Sequence, residues 1–465
     1  KHGALHNPYA FGYFEHMPHD SFRGGHVTVG GTFYDGTTFP ERFRGTYIGG
    51  DLLGHAVYWH DIMRDGSTFR SAHGGDLLLA NDTWFAPSDL TLGPDGAIYV
   101  TDWHDRRTAH PDPDADWDRS NGRIFRIQFH GAKSPAHVDL NTLTSAELVD
   151  WLGHDNGWFV RRARRILAER RDPAVYAGLN LLACEGDDAQ MALEAFWALH
   201  ASGGFDERIA QRLLQHRDEN IRTWVVRLLG DSRAVSAEIA ARFVELAQND
   251  PSNRVRSQLA CAAKRLPAES ALPIIAQLCQ RDEDAADPYI PLLLWWAVEH
   301  HAHLGKEQLL QLLTRPDMSP HPLVRDVVLE RLIKRYAAAE ELQACARLLR
   351  TAVEAQQRRR LLVALDEGLL LRSTNSTTGF REGTLFNRFA ALPTESSASN
   401  DLDVSDATSA VLLDELRAEL GGATADPLVL RLASRLGSRV AAKRILRIAV
   451  DSQAEPDARL AMLDV

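Results

Sequence analysis

The feature that most limits what this chain can fold into is a change of pattern near residue 131. Eighteen of its 32 glycines and twelve of its 19 histidines fall before residue 138, in under a third of the 465 residues. There, short β-prone runs (His26–Val29, Gly45–Ile48, Ala56–Trp59, Asp89–Leu92, Ala97–Val100 and Arg123–Ile127) are separated by Gly, Pro and Asp turns, which predicts antiparallel strands. Between two runs stands Gly93-Pro94-Asp95-Gly96, supplying the fixed φ and the positive-φ position of a tight hairpin. Six or more strands in 131 residues suit a sandwich, a barrel or about one and a half to two propeller blades.

After Gly131 the period becomes helical. Thr144 stands three residues before Glu147, the spacing of a capping box, and apolar positions then recur at i, i+3 and i+4. Related segments recur: Asn156–Ala163, Glu219–Val225, Ser252–Leu259 and Pro322–Val327, with Asp188–Ala192 and Asp287–Pro291 filling the gaps. The aliphatic anchors Val160, Ile221, Val255 and Val324 lie 61, 34 and 69 residues apart, or two, one and two units of about 30–35 residues, the period of an α-solenoid. Two Ser/Thr-rich stretches, 373–379 and 394–400, interrupt the array and are expected to be loops. The expected organisation is multidomain, β then α: residues 1–131 as C-terminal blades of a β-propeller, 132–142 as a linker, and 143–465 as HEAT-like α-helical repeats.

Composition removes several functions. A net charge of −11 and a pI near 6.0 argue against a duplex-DNA binder, which needs a basic face. Cys184, Cys261, Cys279 and Cys345 form no C-x-x-C or C-x-x-C-H, so they are expected to be buried apolar residues, not metal or haem ligands. No run approaches the ~18 apolar residues of a membrane span. No dinucleotide fingerprint, P-loop or nucleophile elbow is present.

The densest polar constellation is Thr101–Asp118, directly after a strand, where loops carry function on a rigid scaffold. The carboxylates of Asp112, Asp114, Asp116 and Asp118, with Asp105 beside them, could converge on Ca²⁺, although the glycine and distal Glu of an EF-hand loop are missing. His104, His110 and Asp105 could instead ligate a transition metal, or form a hydrogen-bonded rim. His26, between glycine pairs, is a candidate general base or a structural strand histidine. Trp84, Phe85, Trp103 and Trp117 could form an aromatic platform for a sugar or quinone ring, or pack between blades.

The motifs Gly30–Gly36, Phe39–Tyr47, Asp89–Asp102 and Gly122–Ile127, in that order, resemble the last blades of the six-bladed propeller of glucose/sorbosone-dehydrogenase-like proteins. The recurring Asp/Asn or Pro, aliphatic, Arg unit resembles the HEAT repeat, whose arginine ties one helix start to the next repeat. Blades followed by such repeats are similar to the large putative membrane-bound dehydrogenases of planctomycetes and their relatives. That resemblance implies a secreted or periplasmic protein that oxidises a sugar or alcohol and passes electrons to a c-type haem domain downstream. It implies pyrroloquinoline quinone as a cofactor, beside the Ca²⁺ that the carboxylates could bind, with the family's catalytic base on an earlier blade.

In the related quinoproteins, basic residues near the starts of inner strands hold the quinone carboxylates. Here Ala86 and Ser88 lead into Asp89, and Leu53 and Gly54 into His55. Arg44, Arg106 and Arg107 are the nearby cations a quinone would use, with Trp84 and Asp89 as further cofactor contacts and His26 and His104 as catalytic candidates. The competing expectation is a non-catalytic propeller/solenoid module that binds a carbohydrate, or a protein along the repeats.

Overall fold

The computed structural model describes residues 28–104, 120–132, 138–376, 407–421, 426–453, 455–460 and 462. The chain divides into two compact units, one spanning Met17–Leu259 and one from Ala260 onward.

In the first unit, β1 (Thr28–Phe33), β2 (Tyr47–Asp51), β3 (Ala56–Asp65) and β4 (Thr68–Leu79) form a four-stranded antiparallel meander in sequence order. β5 (Pro87–Leu92), β6 (Ile98–Asp102) and β7 (Arg123–Ile127) form a second, three-stranded antiparallel sheet. β5 and β6 alternate between faces: Leu90, Leu92, Ile98 and Val100 are buried while Asp89, Thr91 and Thr101 are exposed. β5 packs beside β1, and at Gly30 (φ +58°) a Cβ would lie 2.6 Å from Asp89 Cα, so the approach needs glycine.

Between the sheets lies a core of Tyr34, Phe39, Phe43, Ile48, Val57, Phe85, Leu90, Leu92, Ile98 and Val100. Fully buried Tyr34 is pinned by its hydroxyl, which donates to Gly96 O at 3.0 Å and accepts from the Phe39 and Thr38 amides at 2.8 and 3.1 Å. Gly96, at φ +73°, closes the hairpin expected at 93–96.

One strand had no sequence signal. β3 runs on to Asp65, and β4 pairs with it despite a polar Thr68–Leu79 sequence. Its Gly74 lies under the Trp59 ring, where a Cβ would come within 2.2 Å. The tip of this hairpin grips helices: the Arg64 guanidinium donates to both Glu219 carboxylate oxygens (2.6 and 3.1 Å) and to Asn253 (3.2 Å), and Arg254 sits over the Phe69 ring at 5.2 Å.

The unit continues through α1 (Ser145–Asp150), α2 (Gly157–Arg170), α3 (Tyr176–Glu185), α4 (Ala189–Ala201), α5 (Glu207–Leu213), α6 (Glu219–Asp231), α7 (Ala237–Asn249) and the start of α8 (Asn253–Arg265). Thr144 and Glu147 form the anticipated capping box, and Asn156, Asp188, Asp206, Asp218 and Ser236 cap α2, α4, α5, α6 and α7. α2 packs on α4 and α4 on α6, while α3 packs on α5 and α5 on α7. The anchors Val160, Ile221 and Val255 are all buried. Arg222 of α6 donates through Nε and Nη2 to Asp250 at 2.7 and 2.8 Å, and Arg256 of α8 donates to Asp250 O at 2.8 Å.

The second unit is helical throughout its described residues: α9 (Ala268–Cys279), α10 (Ile290–Leu304), α11 (Lys306–Leu313), a π-helical segment Leu323–Val328 running into α12 (Leu329–Ala338), α13 (Leu342–Leu349), α14 (Ala355–Ser376), α15 (Ala407–Glu415), α16 (Arg417–Leu420), α17 (Pro427–Arg435), α18 (Arg439–Val450) and α19 (Pro456–Leu460). Trp295 is fully buried, and the fourth anchor, Val324, lies in the π-helical segment. The loop expected at 373–379 is corrected in part, because α14 continues through Ser376; the stretch 394–400 lies outside the described residues. The cysteines are all free, with Cys279 and Cys345 buried as expected but Cys184 and Cys261 only half-buried.

Two buried histidines of the first unit make its stability depend on pH. Burial lowers the pKa of His60, helped by His73, and burial lowers that of His216, whose Nδ1 accepts the Asp218 amide at 3.0 Å. The unfolded imidazoles take up protons near pH 6.5 and the folded ones only at lower pH. The stability is therefore present above about pH 6.5 and is lost as pH falls through the folded values. The melting temperature of the first unit is expected to drop between about pH 7.5 and 5.5, and less steeply in His216→Gln. Calorimetry across that range checks this; equal slopes in the two proteins would refute it.

Candidate functional site

Where β5 begins, β6 ends and β7 begins, the second sheet carries a polar rim built on Asp102. This side chain is fully buried; Oδ1 accepts the Ala86 and His104 amides (2.7 and 2.9 Å) and Oδ2 accepts Arg123 Nε (2.6 Å). Arg123 reaches on through Nη2 to Asp82 at 2.9 Å. Asp82 in turn accepts the Trp84 amide at 2.9 Å. That bond, then the Arg123 guanidinium, holds the Asp82 carboxyl below the usual range. Two carboxylates and one guanidinium thus fix three chain segments in one place.

The backbone of this rim is unusual. His55, Asn81 and His104 take φ values of +54°, +51° and +55°, in a region where residues other than glycine are uncommon and that recurs at functional sites. His55 Nδ1 lies 2.7 Å from Phe85 O. The Trp84 and His104 rings lie 5.5 Å apart at 35°, and adjacent Trp103 is 61% exposed. His104 Nδ1 is buried 3.8 Å from Asp102 Oδ2. The result is an aromatic edge on a rigid base in which one guanidinium ties two carboxylates.

The structure brings together Trp84 and His104 of the sequence candidates. Asp89 sits exposed on β5, with Oδ1 accepting its neighbour Leu90's amide at 2.8 Å. Arg44 lies apart from the rim, donating to Gly36 O (3.4 Å) and Asp155 O (3.2 Å) at a cleft of about 540 Å³. His26, Arg106, Arg107, Asp105, His110, Asp112, Asp114 and Asp116 lie outside the described residues.

Sequence reasoning missed Asp102, Arg123, Asp82, His55 and Asn81. The signal that could have found some of them is the recurrence of an acid ahead of aromatic residues, Asp82-Thr83-Trp84 and Asp102-Trp103-His104. Among the described residues no group of three His, Cys, Asp or Glu could hold a metal ion. The described rim does not fit a tricarboxylate quinone either. Its cation, Arg123, is already committed to Asp102 and Asp82, and Arg44 is elsewhere.

Residues 12–131 match a family described as a domain of unknown function (DUF7133). That match covers 120 of the 465 residues, including both sheets. No curated protein matches the chain. Among the described residues no helix is long and apolar enough to cross a membrane.

Proposed function

We propose that the first unit is a ligand-binding module, made of β-propeller blades followed by HEAT-like repeats, whose Trp84–His104 rim is a platform for a carbohydrate. One observation carries this reading. Half-buried Trp84, with the His104 ring 5.5 Å away and exposed Trp103 adjacent, stands on a network in which Asp102, Arg123 and Asp82 bond to one another, so its aromatic surface is what the rim offers a ligand. The blade reading is supported by two successive antiparallel meanders whose first strands, β1 and β5, lie side by side. Alternate packing of α2, α4, α6 and of α3, α5, α7, with Arg222 reaching Asp250 ahead of α8, supports the repeats.

Sugars added to the purified chain are expected to change tryptophan fluorescence saturably. Trp84→Ala should weaken binding by about tenfold, the loss of one ring contact, while leaving the fold intact. Unchanged affinity in Trp84→Ala would remove the rim from the reading.

A second reading keeps the oxidoreductase: part of a periplasmic or secreted dehydrogenase oxidising a sugar or alcohol, with electrons leaving to a haem domain outside this chain. It is favoured by a histidine, His104, whose Nδ1 is buried 3.8 Å from the Asp102 carboxylate. Reduction of an artificial acceptor by sugars or alcohols, lost in His104→Gln, would establish it. No turnover with quinone and Ca²⁺ supplied would leave the binding module.

A further inference from the structure

The cleft at Arg44 lies away from the rim. The rim is where Pro87, Asp102 and Arg123 align across the second sheet, whereas the Gly93–Gly96 turn at the far end receives Asn156, whose Nδ2 donates to Gly93 O and Pro94 O at 3.3 and 3.1 Å. Asn156 caps α2, and the cleft opens between that helix start, the start of α4 and the end of β1. Its volume, about 540 Å³, is in the range of small-molecule sites.

Two of its charges are consumed by the protein. Asp35 is held by Arg161 at 2.6 Å, and the buried Glu194 by Arg164 and by Gln190 Nε2 at 3.1 Å. What remains facing the cleft is mixed. Arg44 is bonded to two backbone carbonyls. His154 accepts the Asn156 amide at Nδ1 (2.9 Å), which leaves its proton on Nε2, and its ring is stacked on Trp151 at 4.9 Å and 6°. Asp188 uses Oδ1 to accept the Met191 amide at 2.8 Å and has a second oxygen to offer, while the Asp155 carboxylate is exposed. The Phe33 ring on the lip is 53% exposed.

Donors near carboxylate acceptors, with one bare aromatic ring, match vicinal hydroxyls, because each hydroxyl both donates and accepts and the sugar's C–H face covers a ring. Two carboxylates, Asp155 and Asp188, against one guanidinium, Arg44, whose donors already meet backbone carbonyls, disfavour an anionic ligand. We infer that this cleft is a second site, independent of the rim, for a neutral sugar.

Saturation-transfer NMR on the full chain with glucose, galactose and mannose tests this, with glucuronate as the charged comparison. In Trp84→Ala, which takes away the rim's ring contact, at least one neutral sugar is expected to bind, and to bind about tenfold more weakly when Arg44→Ala or Asp188→Ser is added. Asp188→Ser keeps a capping oxygen and removes the second acceptor, and an unchanged melting temperature shows that the fold survives. The inference is overturned if no neutral sugar binds Trp84→Ala, if glucuronate binds it more tightly than all three, or if its binding is unchanged when the cleft variants are added. Binding lost in Trp84→Ala and kept in the cleft variants assigns the sugar to the rim alone, overturning the cleft and supporting the rim reading.

Discussion

Asp250→Ala is expected to destabilise the first unit by about 3–5 kcal/mol, the effect of removing one partner from a buried ion pair. The Asp250 side chain is 1% exposed and that of Arg222 10%. The carboxylate also accepts the Ser252 amide at 2.9 Å, and Arg222 Nη1 donates to the carbonyls of His216 and Arg217 at 2.8 and 3.1 Å. Alanine would leave a guanidinium buried without its counter-ion and an amide without its acceptor. Arg222→Met combined with Asp250→Leu should recover much of the loss, since the apolar pair removes both desolvation penalties. Hydrogen exchange of the α6–α8 amides reads the effect locally. A shift under about 1 kcal/mol in Asp250→Ala would show that water already reaches the pair.

Asp102→Ala is the second large effect expected, about 3 kcal/mol, because the Ala86 and His104 amides and Arg123 Nε lose their shared acceptor together. The consequence is also conformational. His104 is held at φ +55° with its amide on Asp102, so without that bond its strained backbone can relax and its ring can leave Trp84. Urea unfolding followed by tryptophan emission should show both a lower midpoint and an altered native spectrum. Asp102→Asn retains an acceptor oxygen and is expected to lie between the two. A native spectrum unchanged in Asp102→Ala would mean that Arg123 and Asp82 suffice to set the rim.

The elements that could be read from sequence are those whose local chemistry and tertiary role agree. Pro94-Asp95-Gly96 made the β5–β6 hairpin legible, and Thr144 with Glu147 made the start of α1 legible. β4 was opaque because its burial does not alternate cleanly and its pairing is set by Trp59 lying over Gly74, a contact between residues fifteen apart. Ser373–Ser376 had loop composition but extends a helix begun at Ala355, where propensity is overridden by context. For the rim, single residues announced themselves by type, as with Trp84 and His104. Asp102 and Arg123 did not, because a buried carboxylate and its partner twenty-one residues on are defined by register, which no local pattern carries.

The hairpin tip at Arg64 gives the composition break a mechanical meaning. The chain changes character near residue 131, yet Arg64 is tied to Glu219 and Asn253, 155 and 189 residues later. Tension applied across the junction would be shared by this distant strut, and would not fall on the connecting segment alone. A chimaera joined at residue 131 would sever the strut and leave Arg64 without its Glu219 and Asn253 partners.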